Sequence, residues 1–220
     1  MSAAREEILR RIRRSTRDVP DAERPEDVPV ERGYRETDDA PRGEIVERFA
    51  ERTAEYKAKV SRVSESGLPG AIRDALKARG VEKLVVPPGL PEAWVPYGVE
   101  VLRDGSGAGA QLTNDELDRS DGVLTGCALG ISQTGTIVLD AGEAQGRRAL
   151  TLLPDYHLCV VREEQVVGLV PEAFAGLRET VVGEGRAITF ISGPSATSDI
   201  ELNRVEGVHG PRTLEVLIVG

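Results

Sequence analysis

The chain changes its hydrophobic rhythm at Gly80, and that change limits the folds open to it. Beyond it come short runs rich in Val, Ile, Leu and Thr at residues 83–86, 99–102, 122–125, 136–139, 149–153 and 157–161, each bounded by Gly, Pro or Asp. Apolar runs this short, closed at both ends by turn residues, read as strands, because a buried helix needs roughly ten residues or more. Two later runs, 187–191 and 214–219, are apolar enough to lie in a sheet covered on both faces.

The helices that would cover such a sheet are legible as well. Residues 44–63 carry Ile45, Phe49, Tyr56 and Val60 on one helical face, and residues 68–79 form a second helix stopped by Gly80. Thr113 and Glu116 make a capping box for a short helix over 113–117, and Pro171 opens another that runs to residue 178. Strands interleaved with helices predict a three-layer α/β/α domain with a mixed, mostly parallel sheet.

Ahead of this domain the chain is different. Residues 3–14 place Ile8, Leu9 and Ile12 at helical spacing among Arg and Glu, a thin amphipathic helix. Its basic residues Arg10, Arg11, Arg13, Arg14 and Arg17 suit a solvated face or an acidic partner. Residues 18–42 contain Pro20, Pro25, Pro29, Gly33 and Pro41, many acids and almost no apolar period, so they read as a linker. The expected division is an arm and linker over 1–42 and an α/β domain over 43–220.

Charge and cysteine content narrow the function classes. With 37 acidic against 28 basic side chains the formal charge is −9, which repels nucleic acid and anionic membrane. No apolar run approaches the roughly 20 residues of a spanning helix, and no signal-peptide core is present, so a cytoplasmic location is expected. Cys127 and Cys159 are the only cysteines and form no CxxC, which leaves neither a disulfide framework nor a self-contained iron-sulfur cluster. His157 and Cys159 share a strand face and could join Cys127 and His209 around zinc, but no short ligand pair exists, and no metal is expected.

The residues suited to chemistry concentrate between 188 and 212, where a β-branched run breaks at Gly193 into small hydroxyl residues, acids and a lone histidine. Gly193, Ser195 and Thr197 offer backbone and hydroxyl donors ahead of a helix start, an arrangement that suits an anion. Ser198 and Glu201 form a capping box, which accounts for both by structure, and Asp199 and Glu201 in the first turn push any anion forward over 193–195. Glu206, His209 and Arg212 fall within seven residues among Gly207, Gly210 and Pro211. There His209 can serve as acid or base, oriented by Glu206 or Asp199; a polar turn with one ion pair accounts for the same residues. Thr134, Gly135 and Thr136 lie in a stretch of small residues joining two strands, where a backbone can approach a ligand or another strand. The loop over 142–148 ends in Arg147 and Arg148, able to pair with a carboxylate or phosphate or simply to stay solvated. No Walker A sequence, helix-opening GxGxxG, GxSxG elbow or HExxH occurs.

Three segments together resemble the lactate utilization protein C family: 121–139 (DGVLTGCALGISQTGTIVL), 147–157 (RRALTLLPDYH), and 191–201 (ISGPSATSDIE) continuing through 206–212 (EGVHGPR). The match is detailed in the C-terminal half and extends to the helical layout of the N-terminal half. The resemblance implies a lactate-utilisation domain with the fold shared by ribose-5-phosphate isomerase, glucosamine-6-phosphate deaminase, CoA transferases and 5-formyltetrahydrofolate cyclo-ligase. It implies membership of a three-protein, iron-sulfur-dependent system that oxidises L-lactate to pyruvate and permits growth on lactate, with the clusters in partner subunits and none in this chain. The family supplies no settled catalytic residue, and the cyclo-ligase's glycine-rich ATP motif is absent.

Two functions follow as expectations. In one, the chain is a subunit without a cluster that binds cluster-bearing partners, possible copies of itself and a small anionic ligand. That ligand would be held by Gly193, Ser195 and Thr197, by Thr134, Gly135 and Thr136, and by an arginine from 147, 148 or 212. In the other, it is a free-standing enzyme on a phosphorylated sugar, CoA thioester or folate, with Asp199, Glu206 or His209 as acid, base or nucleophile.

Overall fold

The computed structural model describes residues 3–20, 22, 24, 30–31, 33–105, 111–194 and 210–220, and the chain divides into two compact units, Met1–Tyr34 and Arg35–Gly220. In the first unit α1 (Ala3–Ser15) is the amphipathic helix that the sequence predicts. Glu7 pairs with Arg10 and Arg11 one turn on, and Ile8 and Ile12 are exposed.

The second unit opens with α2 (Arg42–Glu55), which buries Ile45, Val46, Phe49 and Thr53. The helical face expected over 44–63 ends early. Lys57 turns left-handed at φ 66°, and residues 59–63 become strand β1 (Lys59–Val63), paired residue for residue with Glu215 to Val219. Tyr56 and Val60 do stand one helical turn apart, but Val60 and Val63 pack on opposite faces of the sheet, and pairing with a buried strand decides the conformation. The next helix, α3 (Leu68–Arg79), ends where the sequence says it should, with Gly80 at φ 67° accepting the left-handed cap.

Strands β2 (Lys83–Val86), β3 (Glu100–Arg103), β4 (Gly122–Thr125), β7 (Tyr156–Arg162) and β10 (Thr213–Val219) join β1 in a six-stranded sheet of order β1-β10-β7-β4-β2-β3, parallel throughout. The residues of β4 are buried without exception, as the central strand of a doubly covered parallel sheet requires. One face packs α3 and Trp94 against Leu84, Leu124, Leu158 and Leu217. The other receives α2 against Cys159, Val161, Val216 and Ile218, and farther along the sheet α4 (Asn114–Asp118) with Leu117 against Val85 and Val123. The capping box at α4 is present in full, Thr113 and Glu116 bonding each other's backbone.

The antiparallel pairing of the mixed architecture sits in a second, smaller sheet of order β8-β5-β6-β9, built from β5 (Leu129–Ile131), β6 (Thr136–Leu139), β8 (Val166–Val167) and β9 (Thr189–Ile191). Ile137 and Leu139 of β6 face the six-stranded sheet, while Val138 faces α5 (Val170–Gly176) with Leu129 and Ile131. Two expectations are corrected here. Residues 149–153 are not a strand: Arg148–Thr151 form a 3-10 turn that plants Leu150 against Val85 and Val123, and the nearby β4 already has both its edges paired. The run over 187–191 is not covered on both faces, because β9 lies at a sheet edge and leaves Phe190 45 % exposed, stacked on Phe174. Among the described residues no helix is long and apolar enough to cross a membrane.

Candidate functional site

Parallel sheets bind ligands beyond the carboxyl ends of their strands, where neighbouring connections leave in opposite directions. Here the chain leaves β2 for β3 on one side and returns to β4 on the other, so β2 marks that point. A cleft of about 460 Å³ lies over it, lined by Pro88 and Gly89 after β2, Asp104 and Gly105 after β3, Gln111, and Ala141, Gly142, Glu143, Gly146 and Arg147 from the loop after β6.

That loop is held from several directions. Ala144 donates its N–H to the Pro88 carbonyl at 3.0 Å and accepts from Gly126 N–H at 2.8 Å, bridging the ends of β2 and β4. Gln145 accepts from Asp140 N–H at 2.7 Å, and Asp140 accepts from Gly142 N–H at 3.0 Å and pairs with Arg186 at 3.2 Å. Within it Ala141 and Ala144 take left-handed backbone, φ 54° and 60°. A left-handed alanine costs about 1–2 kcal/mol, and such strain gathers where a loop must present a fixed shape. Gly89 leaves room for the Glu143 side chain, since a Cβ there would stand 2.3 Å from Glu143 Cγ.

The cleft floor is an ion pair. Arg147 donates through Nε and Nη2 to the two oxygens of Asp104, both at 3.0 Å, and through Nη2 to the Leu112 carbonyl at 2.5 Å. Asp104 also accepts from Leu112 N–H at 2.9 Å, and its side chain is 3 % exposed against 28 % for Arg147. Arg147 therefore meets any ligand with its charge neutralised, and Glu143 is left as the cleft's titratable group without a partner among the described residues. The glycines and the pinned loop offer backbone contact more than side-chain chemistry. Arg148 lies along its own turn, donating to Thr151 at 3.1 Å.

At the opposite end of β6 the structure brings together Thr134, Gly135, Thr136 and Gly193. Antiparallel pairing of Ile137 with Ile191 sets Thr136 beside Ser192, and the hydroxyls bond in series, Thr134 to Thr136 at 2.8 Å and Thr136 to Ser192 at 2.7 Å. Both glycines are explained by packing. A Cβ on Gly135, at φ 58°, would stand 2.5 Å from the Arg52 backbone carbon, and one on Gly193, at φ 92°, would stand 2.9 Å from Tyr56 Cβ. A Cβ on Gly210 would stand 3.1 Å from the Pro194 carbonyl, and Arg212 pairs with Asp155 at 3.2 Å, both side chains exposed. Arg147 is not part of this corner. Ser195, Thr197, Ser198, Asp199, Glu201, Glu206 and His209 lie outside the described residues.

A third polar group, of which the sequence singled out His157, Cys159 and Cys127 but not Thr125, lies in the core. Thr125 bonds His157 Nε2 at 2.8 Å inside the core, next to Cys159 and Cys127. Among the described residues no three His, Cys, Asp or Glu side chains converge as a metal site. The sequence did not flag Asp104, Asp140 or Gln145, although Asp104 follows a strand directly, the position from which a side chain faces the carboxyl-end cleft.

The profile of the LUD domain matches residues 46–219, from α2 to the last strand. The chain belongs to the LUD-domain family. Lactate utilization protein C of Deinococcus radiodurans is 52 % identical to it over 179 residues, 81 % of each chain. The protein of the same name from Geobacillus kaustophilus is 30 % identical over 167 residues, 69 % of this chain and 68 % of that one. A crystal structure of a DUF162 family protein from Deinococcus radiodurans superposes with a TM-score of 0.71 at 46 % identity, covering 82 % of this chain and 99 % of that one. The resemblance read from the sequence motifs and the α/β fold it implies are thus both found. The cleft and the hydroxyl corner both fall inside the LUD domain.

Proposed function

We propose that this LUD-domain protein works in lactate utilization, as a cluster-free component of an iron-sulfur-dependent system that oxidises L-lactate to pyruvate. The observation that carries the reading is the 52 % identity to a lactate utilization protein C across 81 % of both chains. The two cysteines, both buried and too few for a four-thiolate cluster, suit a division of labour in which the clusters belong to partner subunits. A small anionic ligand would bind in the carboxyl-end cleft, over the glycine-lined wall with the Arg147–Asp104 pair beneath it. The strand-end position, the open volume and the two left-handed alanines support that placement.

Deleting the gene in a host with no second lactate pathway is expected to abolish growth on L-lactate, with rescue by the wild-type gene; unchanged growth would sink the proposal. Affinity purification from lactate-grown cells should recover two cysteine-rich partners. Turnover of a phosphorylated sugar, CoA thioester or folate by the purified chain alone would instead favour a free-standing enzyme. Gln111→Trp, which fills the cleft mouth, should fail to rescue growth while leaving the melting temperature unchanged. Full rescue by that variant would move the ligand elsewhere.

A further inference from the structure

The core between the two sheets holds a pair of thiols that the proposed function does not use. Cys159 lies at mid-strand in β7, directly opposite Thr125 of β4. Cys127 follows two residues after Thr125, where the chain leaves β4 for the second sheet. Cys159 donates to the carbonyl of Gly126, the residue bonded to Cys127, at 3.7 Å, Cys127 donates to Gln165 Oε1 at 3.7 Å, and both cysteines lie in one buried cluster. Both are free, Cys159 at 0 % and Cys127 at 6 % exposure. His157 stands on the same face of β7, its Nε2 bonded to Thr125 and its fully buried Nδ1 without a partner among the described residues. Apolar packing needs none of this. Two free thiols in one cluster, one on the strand opposite Thr125 and the other two residues beyond it, beside a partly unsatisfied imidazole, are the parts of a dithiol couple.

We propose that Cys127 and Cys159 form a redox-active dithiol which a hydroperoxide converts to an intrachain disulfide. The Cys159 sulfur attacks one peroxide oxygen; the O–O bond breaks, the proton from Cys159 leaves with the alkoxide as alcohol, and Cys159 becomes a sulfenic acid. The Cys127 sulfur then attacks Cys159 sulfur, forming the S–S bond and releasing water. Two thiols and one hydroperoxide give one disulfide, one alcohol and one water. The division of roles agrees with the local electrostatics. Cys127, and then His157 and Thr125, draw the Cys159 thiol below its ordinary value against its burial, while Cys159 and burial push Cys127 up. The bond would reach the cleft as well, because Gly126 between the two partners is the residue that holds Ala144.

The test is thiol counting and peptide mapping on the purified, fully reduced chain after stoichiometric hydrogen peroxide. The expected result is loss of both titratable thiols, an intact mass lower by two hydrogens, a linked peptide containing Cys127 and Cys159, and full reversal by dithiothreitol. In Cys127→Ser the same treatment should leave a sulfenic acid on Cys159, captured by a dimedone probe; if that variant does not fold, the wild-type map decides alone. Two thiols still titratable after the treated protein is unfolded would overturn the proposal. So would separate sulfinic acids with no link, or links only between chains.

Discussion

The two ends of β6 look alike in composition and differ in physics. At one end Thr134, Gly135, Thr136, Ser192 and Gly193 form a corner whose hydroxyls satisfy one another and whose glycines are filled by the backbone of α2 and by Tyr56. At the other, residues 140–147 hold two alanines left-handed above open volume and rest on a desolvated ion pair. Glycines and hydroxyls at a strand end mark close approach of a backbone, and only the structure tells whether the visitor is another segment or a ligand. Strain without a packing reason beside an empty cleft is the stronger pointer.

The largest effect expected from breaking this contrast is at the cleft floor. Arg147→Ala would leave Asp104 buried with the Leu112 N–H but without its two arginine donors, a loss of about 3 kcal/mol in urea denaturation. Arg147→Lys should recover only part of it, since an ammonium cannot reproduce the bidentate geometry. A loss under about 1 kcal/mol would mean that the floor behaves as a surface pair and that the cleft is less desolvated than its geometry indicates.

Substitutions of opposite sense at the two ends come next. Gly135→Ala drives a Cβ into the Arg52 backbone at a left-handed position and should cost about 2–3 kcal/mol. Ala144→Gly removes the left-handed penalty, offset in part by glycine's extra freedom in the unfolded chain, for a gain of about 0.5 kcal/mol. If the strain serves binding, that more stable variant should also rescue growth on lactate less well. Equal rescue would reduce the strain to an accident of loop length.

The sequence made the six-stranded sheet almost fully legible because doubly buried parallel strands are written as unbroken apolar runs, as at 83–86, 122–125 and 214–219. It hid β1, whose Val60 continues the helical spacing of α2 and whose two valines do not alternate with period two, and β8, which is two residues long. It made 149–153 look like a strand because Ala149, Leu150, Leu152 and Leu153 are apolar, although the burial of Leu150 is delivered by a turn. Of the candidate site, the convergence of Thr136 with the neighbourhood of Gly193 could be read from hydroxyls placed at two strand ends. The partnership of Arg147 with Asp104 could not, because 43 residues separate them and no local pattern links an acid after one strand to a base after another.

A smaller change tests whether the corner's hydroxyls are structural. Thr136→Val removes the middle of the series Thr134–Thr136–Ser192 and should cost about 1 kcal/mol, with growth on lactate unchanged. Loss of growth at that modest cost would return the ligand to the corner and undo the contrast between the two ends.

The smallest effect separates the ends by acid sensitivity. Leu112, which bonds Asp104 under the cleft, leads directly into the capping box of α4. There the Thr113 backbone N–H, and then its hydroxyl, hold Glu116 below the usual carboxylate range. A carboxyl group lowered in the folded state adds stability above its unfolded value, about 4.3, and loses that contribution as the pH falls through the lower folded value. Glu116→Gln should therefore flatten the acid limb of stability against pH within that window and leave neutral pH little changed. Asp38, lowered by the N–H of Ala40, contributes a similar slope from another part of the domain, so the difference between wild type and variant is the quantity to read. The corner's side-chain series consists of hydroxyls alone, which do not titrate there, so Thr136→Val should shift the whole stability curve down without changing its acid slope. An altered slope in Thr136→Val would show that the two ends of β6 are coupled through the strand between them.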